Sequence, residues 1–133
     1  MRTLAAMASA GLILVATGPP AVAAPLALPE VPAGGRIEFT DTPSIKDTHT
    51  VDIESWSRAS ADDAVAVNFT SGTPECSGVH AIVQETDDSV SVDLKGGTLP
   101  DAFGRMCIML AVFGTLEVPL HAPLGDRRVL SGV

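Results

Sequence analysis

Alternation of apolar and polar residues with a period of two constrains this chain most strongly, because it recurs from residue 36 almost to the carboxyl end. The clearest runs lie at residues 37–40, 51–54, 65–69, 79–83, 90–95 and 115–120. Strict alternation is typical of half-buried strands that have one face in the core and the other in water. A helical stripe of apolar residues is not visible in this part of the sequence. The pattern therefore predicts an all-β domain.

The number and character of these runs predict a sandwich. Residues 106–113 (MCIMLAVF) are apolar throughout, which indicates a central strand covered on both faces, with Met106 and Met109 as core residues. Pro119 cannot donate a hydrogen bond to a neighbouring strand, so we expect it at a sheet edge or facing solvent. About seven short strands in residues 36–133 favour two antiparallel sheets, immunoglobulin-like in architecture, over a closed barrel.

The amino terminus has the features of an export signal at residues 1–23. Arg2 supplies a positive charge, an apolar stretch follows, and Ala23 ends a run of small residues suited to a signal peptidase. We expect cleavage after Ala23, since cleavage after Ala24 would leave Pro25 just past the cut. The alternative is a transmembrane helix, but the apolar run is shorter than the roughly 20 residues that a bilayer requires. Residues 24–35 contain three prolines and two glycines and predict an extended, mobile linker.

The net negative charge of the chain limits the kinds of molecule that we expect it to bind. The chain has 133 residues and a net charge of -8, and removal of residues 1–23 takes away one arginine and no acidic residue. An acidic domain without clustered Lys and Arg is not expected to bind nucleic acid, and it is repelled by anionic membranes. We expect a protein that is secreted to the cell envelope or the extracellular space, without stable membrane insertion once the signal is cleaved.

Cys76 and Cys107 are the residues with the clearest chemical role in the part of the chain that follows the expected export signal. An even number of cysteines in an exported protein predicts a disulfide. The loop that it closes has 32 residues with both cysteines included, which is worth roughly 3.5 to 4 kcal/mol in the chain-entropy model. A redox-active or nucleophilic cysteine is the alternative, but it requires a Cys-x-x-Cys pair or a setting that lowers the thiol pKa, and neither is visible.

Other candidate sites lack the spacing that their chemistry needs. The three histidines lie far apart, and no histidine pair or copper-type loop joins them to sulfur ligands, so we expect neither a metal nor a cofactor. Two aspartate pairs resemble turn formers more than calcium ligands or a pair of hydrolytic carboxylates. The serine-hydrolase signature Gly-x-Ser-x-Gly does not occur, and the sequence predicts no catalytic residue. The residues considered are His49, His80 and His121, and Asp62, Asp63, Asp87 and Asp88.

Three further features each have a structural and a functional interpretation. Trp56 is either a core residue or an exposed binding anchor, and the first is expected in a small domain. Asn68 begins an Asn-x-Thr glycosylation motif inside a predicted strand. Arg127 and Arg128 form a basic doublet that we expect to be solvated surface.

The carboxyl half resembles a group of small exported proteins from actinobacteria. The resemblance covers residues 75–130 and rests on Pro-Glu-Cys-Ser-Gly-Val at 74–79, Val-Gln-Glu-Thr at 83–86, Cys107, and Pro-Leu-Gly-Asp-Arg at 123–127. It implies a disulfide-tied β domain behind a signal, and it supplies neither an activity nor catalytic residues. This chain lacks the cysteine that the lipid-anchored versions carry near the signal.

Together these features predict an exported, non-enzymatic protein that binds a protein or envelope partner through a strand edge near Pro119 or through loops at one end of the sandwich. The alternative is a small extracellular hydrolase or enzyme inhibitor that uses the acidic loop residues. Metal carriage is a third and weaker hypothesis.

Overall fold

The computed structural model describes residues 9–15, 18 and 25–132, and within them the chain is all-β as predicted. Apart from one short 3-10 helix at Pro100–Ala102, the regular elements of this part are strands. Nine strands are formed: β1 Leu26–Ala27, β2 Ile37–Phe39, β3 Lys46–Thr50, β4 Ile53–Arg58, β5 Ala64–Ser71, β6 Ser77–Glu85, β7 Ser89–Thr98, β8 Val112–Pro119 and β9 Arg128–Ser131.

The first sheet has four strands in the order β2-β8-β5-β4. β5 and β8 run antiparallel over eight residue pairs, from Ala64 opposite Pro119 to Ser71 opposite Val112. β4 pairs antiparallel with β5, and β2 pairs in parallel with residues 114–116 of β8. Pro119 lies beyond the residues that pair with β2 and is exposed, so the expectation that it faces solvent is met.

The second sheet has five strands and is built around β7. β6 pairs antiparallel with β7 along nine residue pairs. The other side of β7 has two neighbours: the first part of β7 pairs in parallel with β9, and the last part pairs antiparallel with β3. β1 pairs antiparallel with the free side of β9. Two strand pairs are thus parallel, although antiparallel sheets were predicted. Alternation fixes which face of a strand is buried, but it does not fix the direction of the neighbouring strand.

The apolar faces of the two sheets share one hydrophobic core. The cluster draws alternate residues from strands of both sheets, including Val65, Val67, Phe69, Leu116 and Val118 from the first and Val79, Val90, Val92, Leu94 and Val129 from the second. Phe39 and Phe69 meet edge to face with their centroids 5.2 Å apart. Gly114 permits this contact, since a Cβ there would lie 2.7 Å from the Phe39 ring. Trp56 is buried in the same cluster, as expected for a core residue.

The prediction of a central strand at residues 106–113 is wrong over most of its length. Only Val112 and Phe113 belong to a strand, the start of β8, and the residues before them have no regular structure. The partner strand β5 ends at Ser71, opposite Val112, and Gly-Thr-Pro follows at 72–74. No strand therefore runs beside residues 106–111 in the described structure.

The described residues form nine strands where about seven were expected, because the strand at 106–113 does not form and three others, β1, β3 and β9, were not predicted. β3 has the sequence KDTHT and is exposed along its whole length, so it carries no apolar pattern. β1 and β9 have two and four residues, too few for a periodic signal. Each of these strands forms by pairing with a neighbouring strand, and its own composition does not predict a strand.

The segment predicted to be a mobile linker is extended, but it is hydrogen-bonded to both sheets. The Leu28 N–H donates to Val129 O in the five-stranded sheet at 3.0 Å. Trp56 in the four-stranded sheet donates its N–H to Pro29 O at 3.0 Å and accepts from the Val31 N–H at 2.8 Å. Residues 26–31 thus pack as part of the β structure.

The described residues of the expected export signal, 9–15 and 18, have no regular secondary structure and are exposed. Both expected cleavage positions, Ala23 and Ala24, lie outside the described residues. In the described part of the chain no helix has the length and apolar character needed to cross a membrane.

Candidate binding surface

The disulfide predicted from the sequence is present between Cys76 and Cys107, with their Cα atoms 6.2 Å apart. Cys76 lies immediately before β6, and Cys107 lies in the irregular stretch before β8. The sequence predicts that this bond tethers the loop before the Val79 strand to a central strand at residues 106–113. Instead it attaches an irregular loop to the start of β6, because residues 106–111 are outside the sheets.

The chain reaches this loop through a short, well-bonded turn. Leu99 donates its N–H to Cys76 O at 2.8 Å, and the 3-10 helix Pro100–Ala102 follows. Ala102 is buried, and its carbonyl accepts the Arg105 N–H at 3.0 Å. Gly104 between them has a φ of 83°, a left-handed conformation that favours glycine. The turn and the disulfide therefore fix both the start of the loop and its attachment to β6.

Residues 103–113, here called the apolar loop, expose large apolar side chains. Met106 and Met109 are fully exposed, at 101% and 99%, and Ile108 is 77% exposed. Phe103, Leu110 and Phe113 are also more than half exposed. The two methionines were expected in the core, and that expectation is wrong because the strand that would have buried them does not form. A contiguous set of exposed large apolar residues marks an interaction site more often than a solvated surface.

The backbone of residues 106–111 is also without protein partners. In the described part of the chain, none of their N–H or C=O groups makes a hydrogen bond to another protein group. Backbone polar groups in folded domains are normally paired, and those of an unpaired extended segment can accept a further strand. The apolar loop therefore offers both apolar side chains and backbone hydrogen-bonding groups.

An open groove of about 690 Å³ separates the apolar loop from the end of β5. Both hydroxyl-bearing and apolar residues line this groove. The hydroxyl-bearing residues are Thr70, Ser71, Thr73, Ser77 and Thr98, and the apolar ones from the loop include Phe103, Ile108, Met109 and Leu110. The groove begins where the β5–β8 pairing stops, so it has the position of a missing neighbouring strand.

The acidic turns lie at the opposite end of both sheets from this loop. Asp62 and Asp63 precede β5, and Asp87 and Asp88 lie in the β6–β7 hairpin, whereas the apolar loop adjoins the end of β5 and the start of β6. All four side chains are exposed. The backbone carbonyls of Asp62, Asp63 and Asp88 accept N–H groups of the segment from Leu120 to Arg128. These residues act as turn formers that hold that segment, as their sequence pattern indicated.

The histidines are not brought together. His49 lies on β3, and His80 on β6 has its Nδ1 3.1 Å from the carboxylate of Asp41. His121 follows β8 and contributes its backbone N–H to Glu85 at 2.8 Å. Among the described residues no group of three or more His, Cys, Asp or Glu side chains could hold a metal ion.

Sequence reasoning missed the role of Arg127, which was expected to be solvated. Its guanidinium reaches Glu85 Oε1 at 3.2 Å and also donates to the carbonyl oxygens of Ala122 and Pro123 at 2.9 Å each. Burial raises the pKa of Glu85, but hydrogen bonds from the backbone of His121 and Ala122 and from Arg127 outweigh it, so the pKa is lowered from its ordinary value of 4.5. The Val-Gln-Glu-Thr and Pro-Leu-Gly-Asp-Arg motifs thus meet through these two side chains. Arg128, by contrast, is exposed as expected.

No protein-family model, curated protein or solved structure matches the chain.

Proposed function

We propose that the protein is an exported, non-enzymatic binding protein that engages a partner at the cell envelope or outside the cell, with the apolar loop as its contact surface. The proposal includes a β-sandwich of immunoglobulin-like architecture, which is supported by the single core shared between the two sheets. The disulfide supports export, since such bonds persist in oxidising compartments.

One observation carries the proposal: residues 106–111 combine large exposed side chains with a backbone that has no protein hydrogen-bond partner in the described structure. Backbone groups of this kind are normally paired with water or with another polypeptide. An extended partner segment placed in the groove would satisfy them by strand addition and cover the apolar side chains at the same time. Met106 and Met109 suit such a contact, because methionine adapts to irregular apolar surfaces.

The binding test uses a variant in which Ile108 and Met109 are both replaced by Ser. Since both side chains are exposed, the variant is expected to unfold at the same denaturant concentration as the wild type. Ile82→Ser is the matched control, because Ile82 is 46% exposed on β6, outside the apolar loop. Immobilised proteins are used to capture partners from envelope and culture fractions.

We expect one partner to be recovered by the wild type and by Ile82→Ser, and to be lost with the double variant. Repeated failure to recover a specific partner, or equal recovery by the double variant, would contradict the proposal. Amide hydrogen exchange then tests the binding mode, since strand addition must slow exchange at alternate residues of 106–111. Unchanged exchange in a complex that does form would reject strand addition.

The same geometry favours a second candidate, inhibition of an extracellular enzyme. A disulfide-tied segment with free backbone groups and exposed apolar side chains fits the cleft of a protease that pairs with the backbone of its substrates. An inhibitor would lower the activity of such a protease at equimolar concentration and remain intact. Cleavage of the apolar loop without loss of protease activity would exclude inhibition of that protease.

A further inference from the structure

A second surface lies on the outer face of the four-stranded sheet and is independent of the apolar loop. Here a cavity of about 260 Å³ opens between the overhanging residues 33–34 and the turn that follows β4. We call it the polar cleft. Besides residues 33–34, Phe39 and residues 59–60, the cleft is lined by Arg36, Glu38, Ser57, Arg58, Ala66, Asn68, Thr115 and Glu117.

Strand register explains why a depression forms at this place. Asn68 pairs with Thr115 and Ser55, and Ala66 pairs with Glu117 and Ser57, so two rows of side chains cross the sheet. These residues alternate with Val65, Val67 and Phe69, which face the core. The middle of the face carries short side chains, while longer charged ones stand around it. The result is a floor of small polar groups inside a charged rim.

Asn68 is a buried polar group whose hydrogen-bonding capacity is not fully used by the protein. Its side chain is in the floor of the cleft, and the residue is only 2% exposed. Nδ2 donates to the hydroxyls of Ser55 and Ser57 at 3.0 and 3.1 Å, which fixes the plane of the amide. Within the described residues its Oδ1 accepts no hydrogen bond from the protein. Burial also keeps the Asn-x-Thr motif from acting as a glycosylation acceptor in the folded domain.

Arg36 supplies a cation on the rim of the cleft. Its Nη1 is buried and makes no hydrogen bond to the described protein, and it lies 3.7 Å from Glu54 Oε2. The guanidinium is held over the ring of Phe113, 5.9 Å from the centroid. Arg58 also borders the cleft, but it pairs with the core-facing Val65, and its guanidinium lies over Trp56 with an ion pair of 3.0 Å to Glu30. Arg36 is therefore the cation of the rim that neighbours position on the outer face before any ligand arrives.

We propose that the polar cleft binds a neutral, polyhydroxylated ligand of about monosaccharide size. Each sugar hydroxyl can donate to a carboxylate or to the Asn68 carbonyl and accept from a guanidinium, so both kinds of group in the cleft are used. Glu38 and Glu117 oppose an anionic ligand, whereas Arg36 opposes a metal cation. Ligand sites commonly place a few fixed polar groups in a concave pocket in this way.

The test is an NMR titration of the protein with glucose, with N-acetylglucosamine, and with inorganic phosphate in a separate arm. We expect at least one of the two sugars to shift the amide signals of Ala66, Asn68 and Thr115, while phosphate leaves them unchanged. Ala66→Leu fills the floor and is expected to abolish the shifts. Ala122→Leu is the matched control, because Ala122 is exposed in the segment between β8 and β9 and should leave them intact.

Glu117→Gln keeps the shape of the cleft and removes one charged acceptor. We expect it to weaken sugar binding about tenfold, as for loss of a hydrogen bond to a charged group. The proposal is overturned if neither sugar shifts these signals, if the shifts persist in Ala66→Leu, or if phosphate produces the same shifts.

Discussion

Glu85 and Arg127, 42 residues apart in the sequence, form an ion pair in which both side chains are nearly buried, at 13% and 12% exposure. Glu85 ends β6, and Arg127 precedes β9. Arg127 also donates to the carbonyl oxygens of Thr86, Ala122, Pro123 and Leu124. The pair therefore fixes the β6–β7 hairpin to the segment that connects the two sheets.

Replacing Arg127 by Ala is expected to lower the free energy of unfolding by about 2 to 4 kcal/mol, because it leaves Glu85 and several carbonyl oxygens without their donor. Arg128→Ala is the matched control, since this neighbouring side chain is exposed, and its effect should stay within about 0.5 kcal/mol. Urea unfolding measures both values. Equal effects of the two substitutions would show that the ion pair has no special role in stability.

The contribution of Glu85 to stability is expected to depend on pH. Because its pKa is lowered in the folded protein, the stabilisation is complete above the ordinary value of 4.5 and is lost as the pH falls through the lower folded pKa. The difference in unfolding free energy between wild type and Glu85→Gln should therefore be largest near neutral pH and shrink in acid. Glu75→Gln, at an exposed position, serves as the control. A difference that grows in acid would contradict the lowered pKa.

Loss of the disulfide should destabilise the whole domain. For a sequence separation of 31, the chain-entropy model gives roughly 3.5 to 4 kcal/mol, and the variant with Cys76 and Cys107 both replaced by Ala should lose about that amount. Adding a reductant should destabilise the wild type to the same extent and leave the double variant unchanged. Unfolding in denaturant with and without reductant measures both effects. A further loss of stability in the reduced double variant would show that the reductant acts elsewhere.

Oxidation of Met106 and Met109 distinguishes an exposed loop from a core strand. Because both side chains are fully exposed, mild peroxide should convert them to sulfoxides in the folded protein, and the unfolding free energy should change by less than about 0.5 kcal/mol. Mass spectrometry locates the sulfoxides, and denaturant unfolding measures stability. If these methionines resist oxidation until the protein unfolds, the exposed conformation of the apolar loop is incorrect.

Sequence alternation predicted the strands that have one face in the core, since there the burial of every second residue leaves a direct pattern. It could not predict β3, whose five residues are all exposed, or the parallel pairing of β7 with β9. Those features depend on which strand is adjacent, and adjacency is a property of the whole fold. The cysteine pair needed no such information, because two cysteines behind an expected export signal have only each other as a partner.

The candidate surfaces were harder to predict than the fold. The apolar composition of residues 106–113 indicated burial, but burial requires a neighbouring strand, and β5 ends before it can supply one. Similarly, Ala66 appears in the sequence only as a small position of an alternating strand, and Asn68 as the start of a glycosylation motif within it. Only the register across three neighbouring strands places Asn68 and Ala66 beside Ser57 and Thr115 in one cleft.

Residues 26–31 cover one strand edge in each of the two sheets, and without these residues both edges would be exposed. β1 covers the free side of β9, and the following residues cover the free side of β4. A chain shortened to begin at Arg36 would keep its core side chains but present two unpaired edges. Because unpaired edges recruit strands from other molecules, such a chain would self-associate at protein concentrations where the longer one stays dispersed. A version of this domain made for expression should therefore begin before Leu26.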